Sequence, residues 1–121
     1  MFGADLKTLL IILATALLSG FGDSQGFVHS SSMWQSGRLV ARECIKSGAG
    51  FAVGVGSYWF CVRYLKECGV HAPETQTLLW FATTMLGVAF ASGEWLRWHR
   101  LDQAVALAVF LGLGWLVLRH R

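Results

Sequence analysis

The sequence predicts an all-α integral membrane bundle of four transmembrane helices, with an interfacial amphipathic helix between the first and the second. Three observations carry this. The 121 residues are 55% hydrophobic and only 14% charged, with mean hydropathy +0.51, whereas a soluble domain carries about 25% charged residues. Four apolar segments approach the roughly 20 helical residues that a bilayer core about 30 Å thick demands. The 14 Gly fall inside those apolar runs, and there is one Pro, a distribution of membrane helices rather than of flexible linkers. The length allows a single domain, 1–121.

The first helix is expected over about 5–22. Asp5 offsets Lys7, so the N-terminal stretch has no net positive charge of its own. A retained helix is therefore expected rather than a cleaved signal peptide. Gly20 and Gly22, just before Asp23, read as its end. The link from Asp23 to Lys46 is long for a compact domain. Its first half, Gly26 to Ser32, reads as a surface loop or a short re-entrant piece. Its second half, about 33–46, places Arg38, Arg42 and Lys46 four residues apart, opposite Val40, Ala41, Cys44 and Ile45. That spacing predicts an amphipathic helix lying at the membrane surface; a solvated charge run is the plainer alternative. Ser32 and Gln35 are spaced as a capping box.

The second helix is expected over about 47–65. Its end is marked by Gly69, followed by Val70 as the hydrophobic partner of a C-terminal cap. Pro73 and Glu74 open the third helix, about 75–95, where a missing N–H and a negative charge both suit a helix start. The sharp turn between them predicts a close antiparallel hairpin. Glu94 to Gln103 forms a second tight connection, and the fourth helix follows over about 102–119.

Lys and Arg do not orient the bundle. Lys7, Arg63, Lys66, Arg119 and Arg121 fall on the side of the N-terminus; Arg38, Arg42, Lys46, Arg97 and Arg100 fall on the other. Positive-inside bias is absent when the two counts are equal. The Arg38, Arg42 and Lys46 cluster tilts the reading weakly toward its own side being cytoplasmic. Trp59, Trp80 and Trp115 toward one face, with Trp95 and Trp98 at the other, read as two aromatic belts. Together with Arg38, Arg42 and Lys46 they are the expected interface anchors.

Small residues recur at spacing four in every segment. Gly50 and Gly54, Gly87 and Ala91, and Ala108 and Gly112 form candidate packing faces. In lipid, close backbone approach rather than apolar bulk drives helix association. Packing within the chain explains such faces as well as packing between chains does. Asp23, Glu94 and Asp102 fall near one level and form a candidate polar cluster, with pairing to nearby Arg as the default. Helices two, three and four carry no ionisable residue in their middles, which argues against a coupled transporter. The hydroxyls of Thr83 and Thr84 are expected to bond carbonyls one turn back.

Constellations for catalysis or cofactors are missing. The three Cys are an odd number, and Cys68-x-x-His71 lacks the second ligand pair of a metal site. His29, His71, His99 and His120 all lie outside the apolar segments, where they would not ligate a buried haem. There is no Walker loop, no HExxH and no dinucleotide fingerprint, so catalytic, cofactor-binding and metal residues are all expected to be none. No basic block marks a nucleic-acid partner. The chain is similar in size and span number to small multidrug transporters and fluoride channels. It lacks the helix-one Glu of the former and the Gly-rich, Arg-containing opening of the latter, so neither family is assigned. The expected role is that of a small non-enzymatic, multi-pass protein of the inner cell membrane. It would act through helix–helix contacts as an accessory or structural subunit of a membrane assembly. The alternative is a homo-oligomeric channel or small transporter, inserted in both orientations. Membrane lipid and a homo-oligomer or larger complex are the expected partners.

Overall fold

In the computed structural model, residues 5–120 are described and the chain is all-helical apart from one two-stranded hairpin. The expectations for the N-terminal stretch before Asp5, and the side assigned to Arg121, lie outside these residues. Helix α1 runs Leu6–Ser31, α2 Ala41–Glu67, α3 Pro73–Ser92 and α4 Arg100–Arg119, with a single 3-10 turn at Glu94–Arg97.

Asp5 caps α1, its carboxylate accepting the backbone N–H of Thr8 at 2.8 Å. That bond holds the carboxyl below its ordinary range. The helix then passes through Gly20, Gly22 and Gly26 and ends at Ser31, nine residues beyond the expected stop at Gly22. The expected surface loop at Gly26–Ser32 is thus helical through Ser31. The glycines do not break the helix because each sits where another backbone comes close. A Cβ on Gly22 would lie 2.6 Å from the Gly54 nitrogen, and one on Gly20 would meet the Thr83 carbonyl oxygen.

The interfacial amphipathic helix expected over 33–46 is corrected by the structure. Strands β1 (Trp34–Gln35) and β2 (Arg38–Leu39) pair antiparallel, Trp34 opposite Leu39 and Gln35 opposite Arg38. Between them, Ser36 and Gly37 both have positive φ, at 53° and 73°, the geometry of a two-residue hairpin turn that matches strand twist. Ser32 ends α1 instead of starting a new helix, and Gln35 Nε2 donates to its carbonyl at 3.1 Å. Arg38 lies on the hairpin, while Arg42 and Lys46 belong to the opening turns of α2. Periodicity of four alone could not detect two residues in the left-handed region.

The cap at the end of α2 forms as expected. Gly69, at φ 87°, donates to Lys66 O, and Val70 N donates to Leu65 O at 3.0 Å. These are the paired bonds of a Schellman motif, and Val70 and Leu65 share one core cluster. Pro73 occupies the first turn of α3.

Helix α1 lies between α2 and α3, which touch each other little; the turn forms, but the close antiparallel pair expected of these two helices does not, because α1 takes the place between them. Helix α4 packs chiefly on α3 and has no buried residue. A small apolar core gathers Ala16, Cys61, Leu65 and Val70 near the turn between α2 and α3. Otherwise the usual polarity is inverted. Ser19, Asp23, Ser24, Ser47, Thr75, Gln76 and Thr84 are buried, while Leu13, Leu17, Phe21, Phe60, Phe90 and Leu111 lie outside. The accessible surface is 8147 Å², against about 6,500 Å² for a folded soluble monomer of this mass.

Two helices, Leu6–Ser31 and Arg100–Arg119, are long and apolar enough to cross a membrane. By the same measure α2 and α3 are not. Helix α2 carries Arg42, Glu43, Lys46, Arg63, Lys66 and Glu67 near its ends, and α3 opens on Pro-Glu-Thr-Gln-Thr.

Candidate functional site

The most unusual group in the molecule is the carboxyl of Asp23. Because α1 continues past Gly22, this residue lies within the helix rather than at its end, and it is fully buried. It is level with Gly54, near the middle of α2, and with Thr84, near the middle of α3. Three elements therefore build its surroundings. Helix α3 supplies two donors to one carboxylate oxygen: Trp80 Nε1 donates to Oδ2 at 2.6 Å and Thr84 Oγ1 donates at 3.3 Å. Helix α2 supplies Gly54, whose missing side chain leaves the space the carboxyl occupies. The other oxygen, Oδ1, has no hydrogen-bond partner; among the described residues it is the only buried side-chain oxygen or nitrogen atom so placed. Among the described residues, no Lys, Arg or His pairs with the carboxyl. Burying a carboxyl without a charged partner is costly, and such groups in membrane helices mark function more often than packing.

Hydroxyls fasten the helices around it. Ser19 Oγ donates to Gly54 O at 2.8 Å, and Ser47 Oγ donates to Gly26 O at 2.8 Å. Both are buried bonds from side chain to a neighbouring helix backbone. They are possible because Gly22, Gly26, Gly50 and Gly54 let α1 and α2 approach to backbone contact. At the hairpin end, His29 Nδ1 meets Glu43 Oε2 at 2.7 Å. The imidazole N–H beside Glu43 holds its carboxyl below the ordinary Glu range.

The sequence-derived candidates separate into groups. Gly50, Gly54 and Gly87 are packing residues whose partners lie inside the chain: Gly50 and Gly54 meet α1, and Gly87 meets Gly20 and Ser24. Ala91, Ala108 and Gly112 are exposed, and Gly112 has nothing near it. Of the five Trp anchors, Trp59, Trp95, Trp98 and Trp115 project outward. Trp80 instead turns its indole N–H inward to Asp23. Asp23, Glu94 and Asp102 are not brought together. Glu94 pairs loosely with Arg97 at 3.7 Å on the surface, and Asp102 is exposed in the first turn of α4. Thr83 bonds the carbonyls of Leu79 and Trp80 as expected, but Thr84 turns to Asp23.

Sequence reasoning missed the Asp23, Trp80 and Thr84 constellation because it read Gly20 and Gly22 as a helix stop. A signal was present. Ser19, Asp23 and Gly26 share one helical face, with Gly22 beside it, a polar stripe of small residues around one acid. Trp80 and Thr84 are also four apart, hence on one face of α3.

The side chains of Trp80 and Thr84 also line an apolar cleft of about 570 Å³ between α3 and α4. Asp23 is one side chain behind that wall. No protein-family model matches the chain, and no curated protein or solved structure is recognisably similar to it.

Proposed function

We propose that the chain is a non-enzymatic, multi-pass protein of the inner cell membrane, acting through helix–helix contacts as an accessory or structural subunit of a larger assembly. The observation that carries this reading is the inverted polarity of the bundle. Small and polar side chains fill its interior while large apolar ones cover its exterior, an arrangement suited to lipid and costly in water. Helix α2 would complete its span by snorkelling of Lys46 and Arg63, and α3 through its apolar run from Thr77 to Gly93. The glycine faces of α1, α2 and α3 are consumed within the chain. Helix α4, with Ala104, Ala108 and Gly112 exposed, keeps a small-residue face for a partner.

A second reading is favoured by Asp23. An acid at mid-helix depth beside Gly54 and Thr84 suits a homo-oligomeric channel or small transporter, with the equal Lys and Arg counts permitting either orientation. Gentle detergent extraction from the native membrane, followed by mass analysis, separates the two. Other membrane subunits in fixed ratio support the subunit reading. Recovery of this chain with itself alone overturns it in favour of the second.

A further inference from the structure

We propose that the cleft between α3 and α4 is a binding site for a lipophilic organic cation. Six aromatic side chains line it: Phe27, Trp80, Phe81, Trp95, Trp98 and Phe110. Aromatic faces attract cations through the ring quadrupole, most strongly when water is excluded. The cleft volume, about 570 Å³, falls within the roughly 300–1,000 Å³ that holds small ligands. Its walls are otherwise almost entirely apolar, which suits a cation with hydrophobic substituents rather than a metal ion or an inorganic one.

The one ionisable residue in the cleft wall is an acid. Glu94 lines it at the end nearest the turn between α3 and α4. Asp23 lies behind Trp80 and Thr84, which hold its Oδ2, while Oδ1 faces Gly54 on α2. None of the residues lining the cleft is Lys, Arg or His. Arg97 approaches Glu94 to 3.7 Å but is not part of the wall, and both side chains are largely exposed. A cation seated among the rings therefore has one carboxylate at the rim, only loosely held by Arg97, and a second behind Trp80 and Thr84, with no Lys, Arg or His in the wall itself. Trp80 is the pivot of the site, its ring lining the cleft and its N–H held by Asp23. The proposal stands on the cleft alone and holds whether the chain serves as a subunit or as a transporter.

The test uses the full chain purified in an uncharged detergent, titrated with tetraphenylphosphonium. Tetraphenylborate, of the same shape and opposite charge, serves as the control. Binding is read by equilibrium dialysis and by quenching of Trp fluorescence. Saturable binding of the phosphonium is expected, with the borate at least roughly tenfold weaker, as a desolvated charge preference of about 1.4 kcal/mol requires. Ala106→Trp, on exposed α4, fills the cleft and should abolish phosphonium binding while leaving helical circular dichroism unchanged. Glu94→Gln and Asp23→Asn should each weaken it several-fold; Glu94 is on the surface, so its variant keeps the test independent of folding. Equal affinity for the two ions, or phosphonium binding unchanged by Ala106→Trp, would overturn the proposal. Unaltered binding in both acid variants would overturn it as well.

Discussion

Replacing Gly54 by Ala adds one methyl group at the tightest point of the bundle. The new Cβ would fall against the Asp23 carboxyl and lie 2.8 Å from the Asp23 backbone nitrogen, so helices α1 and α2 must separate. Overpacking of this kind costs about 1–3 kcal/mol. Separation also breaks the buried bond from Ser19 Oγ to Gly54 O, worth about 1 kcal/mol. Against this, Ala is favoured over Gly in a helix interior by about 1 kcal/mol. The net expectation is a loss of roughly 1–3 kcal/mol. Gly56, two residues along the same helix, has nothing near its missing side chain. Gly56→Ala should keep only the propensity gain, so the two variants should differ by roughly 2–4 kcal/mol. Unfolding in mixed detergent and dodecyl sulfate, followed by circular dichroism, measures both. Equal stability of the two variants would refute close backbone contact between α1 and α2 at this level.

Asp23→Asn keeps an acceptor for Trp80 Nε1 and should stay within about 1 kcal/mol of the parent. Asp23→Leu strands two donors and should lose about 1–3 kcal/mol for each, with altered Trp80 fluorescence in the same unfolding assay. Gly69→Ala should cost roughly 1–2 kcal/mol, because φ of 87° lies where a Cβ is strained; thermal melts of the pair check this. The depressed carboxyls of Asp5 and Glu43 contribute stability above the ordinary unfolded values, about 3.9 and 4.3. That contribution is lost as pH falls through their lower folded values. Stability should thus decline on acidification through pH 4, less so in a Glu43→Gln variant, as read by denaturant titration at several pH values. For topology, Ser36→Cys and Trp98→Cys in a cysteine-free background should label from one side of the membrane and Lys66→Cys from the other. Labelling of all three from one side would contradict four spans.

Several elements were legible in the sequence because their causes are local. Gly69 with Val70, and Pro73 with Glu74, specify their turn through single-residue backbone preferences, and the structure forms it as read. The all-helical class follows from long apolar segments with one Pro. The end of α1 was not legible, and the reason is tertiary. A glycine inside a helix either faces open space, as Gly56 and Gly112 do, or lies under a neighbouring helix. Gly20, Gly22 and Gly26 are of the second kind because Thr83, Gly54 and Phe51 lie against them. Extending α1 then carried Asp23 from an assumed interface into the bundle and replaced the surface helix with a hairpin.

By itself, then, the sequence determined the helical class, the sharp turn between α2 and α3, and the small-residue faces of which Gly50, Gly54 and Gly87 pack within the chain. It also determined the excess of apolar surface, since no arrangement of so few charged residues could cover it. Only the tertiary structure decided which glycines face a partner within the chain, and that Trp80 and Thr84 converge on one carboxyl. The physical reason is that backbone contact and burial depend on what lies across the interface. Spacing along one helix specifies a face but not its neighbour.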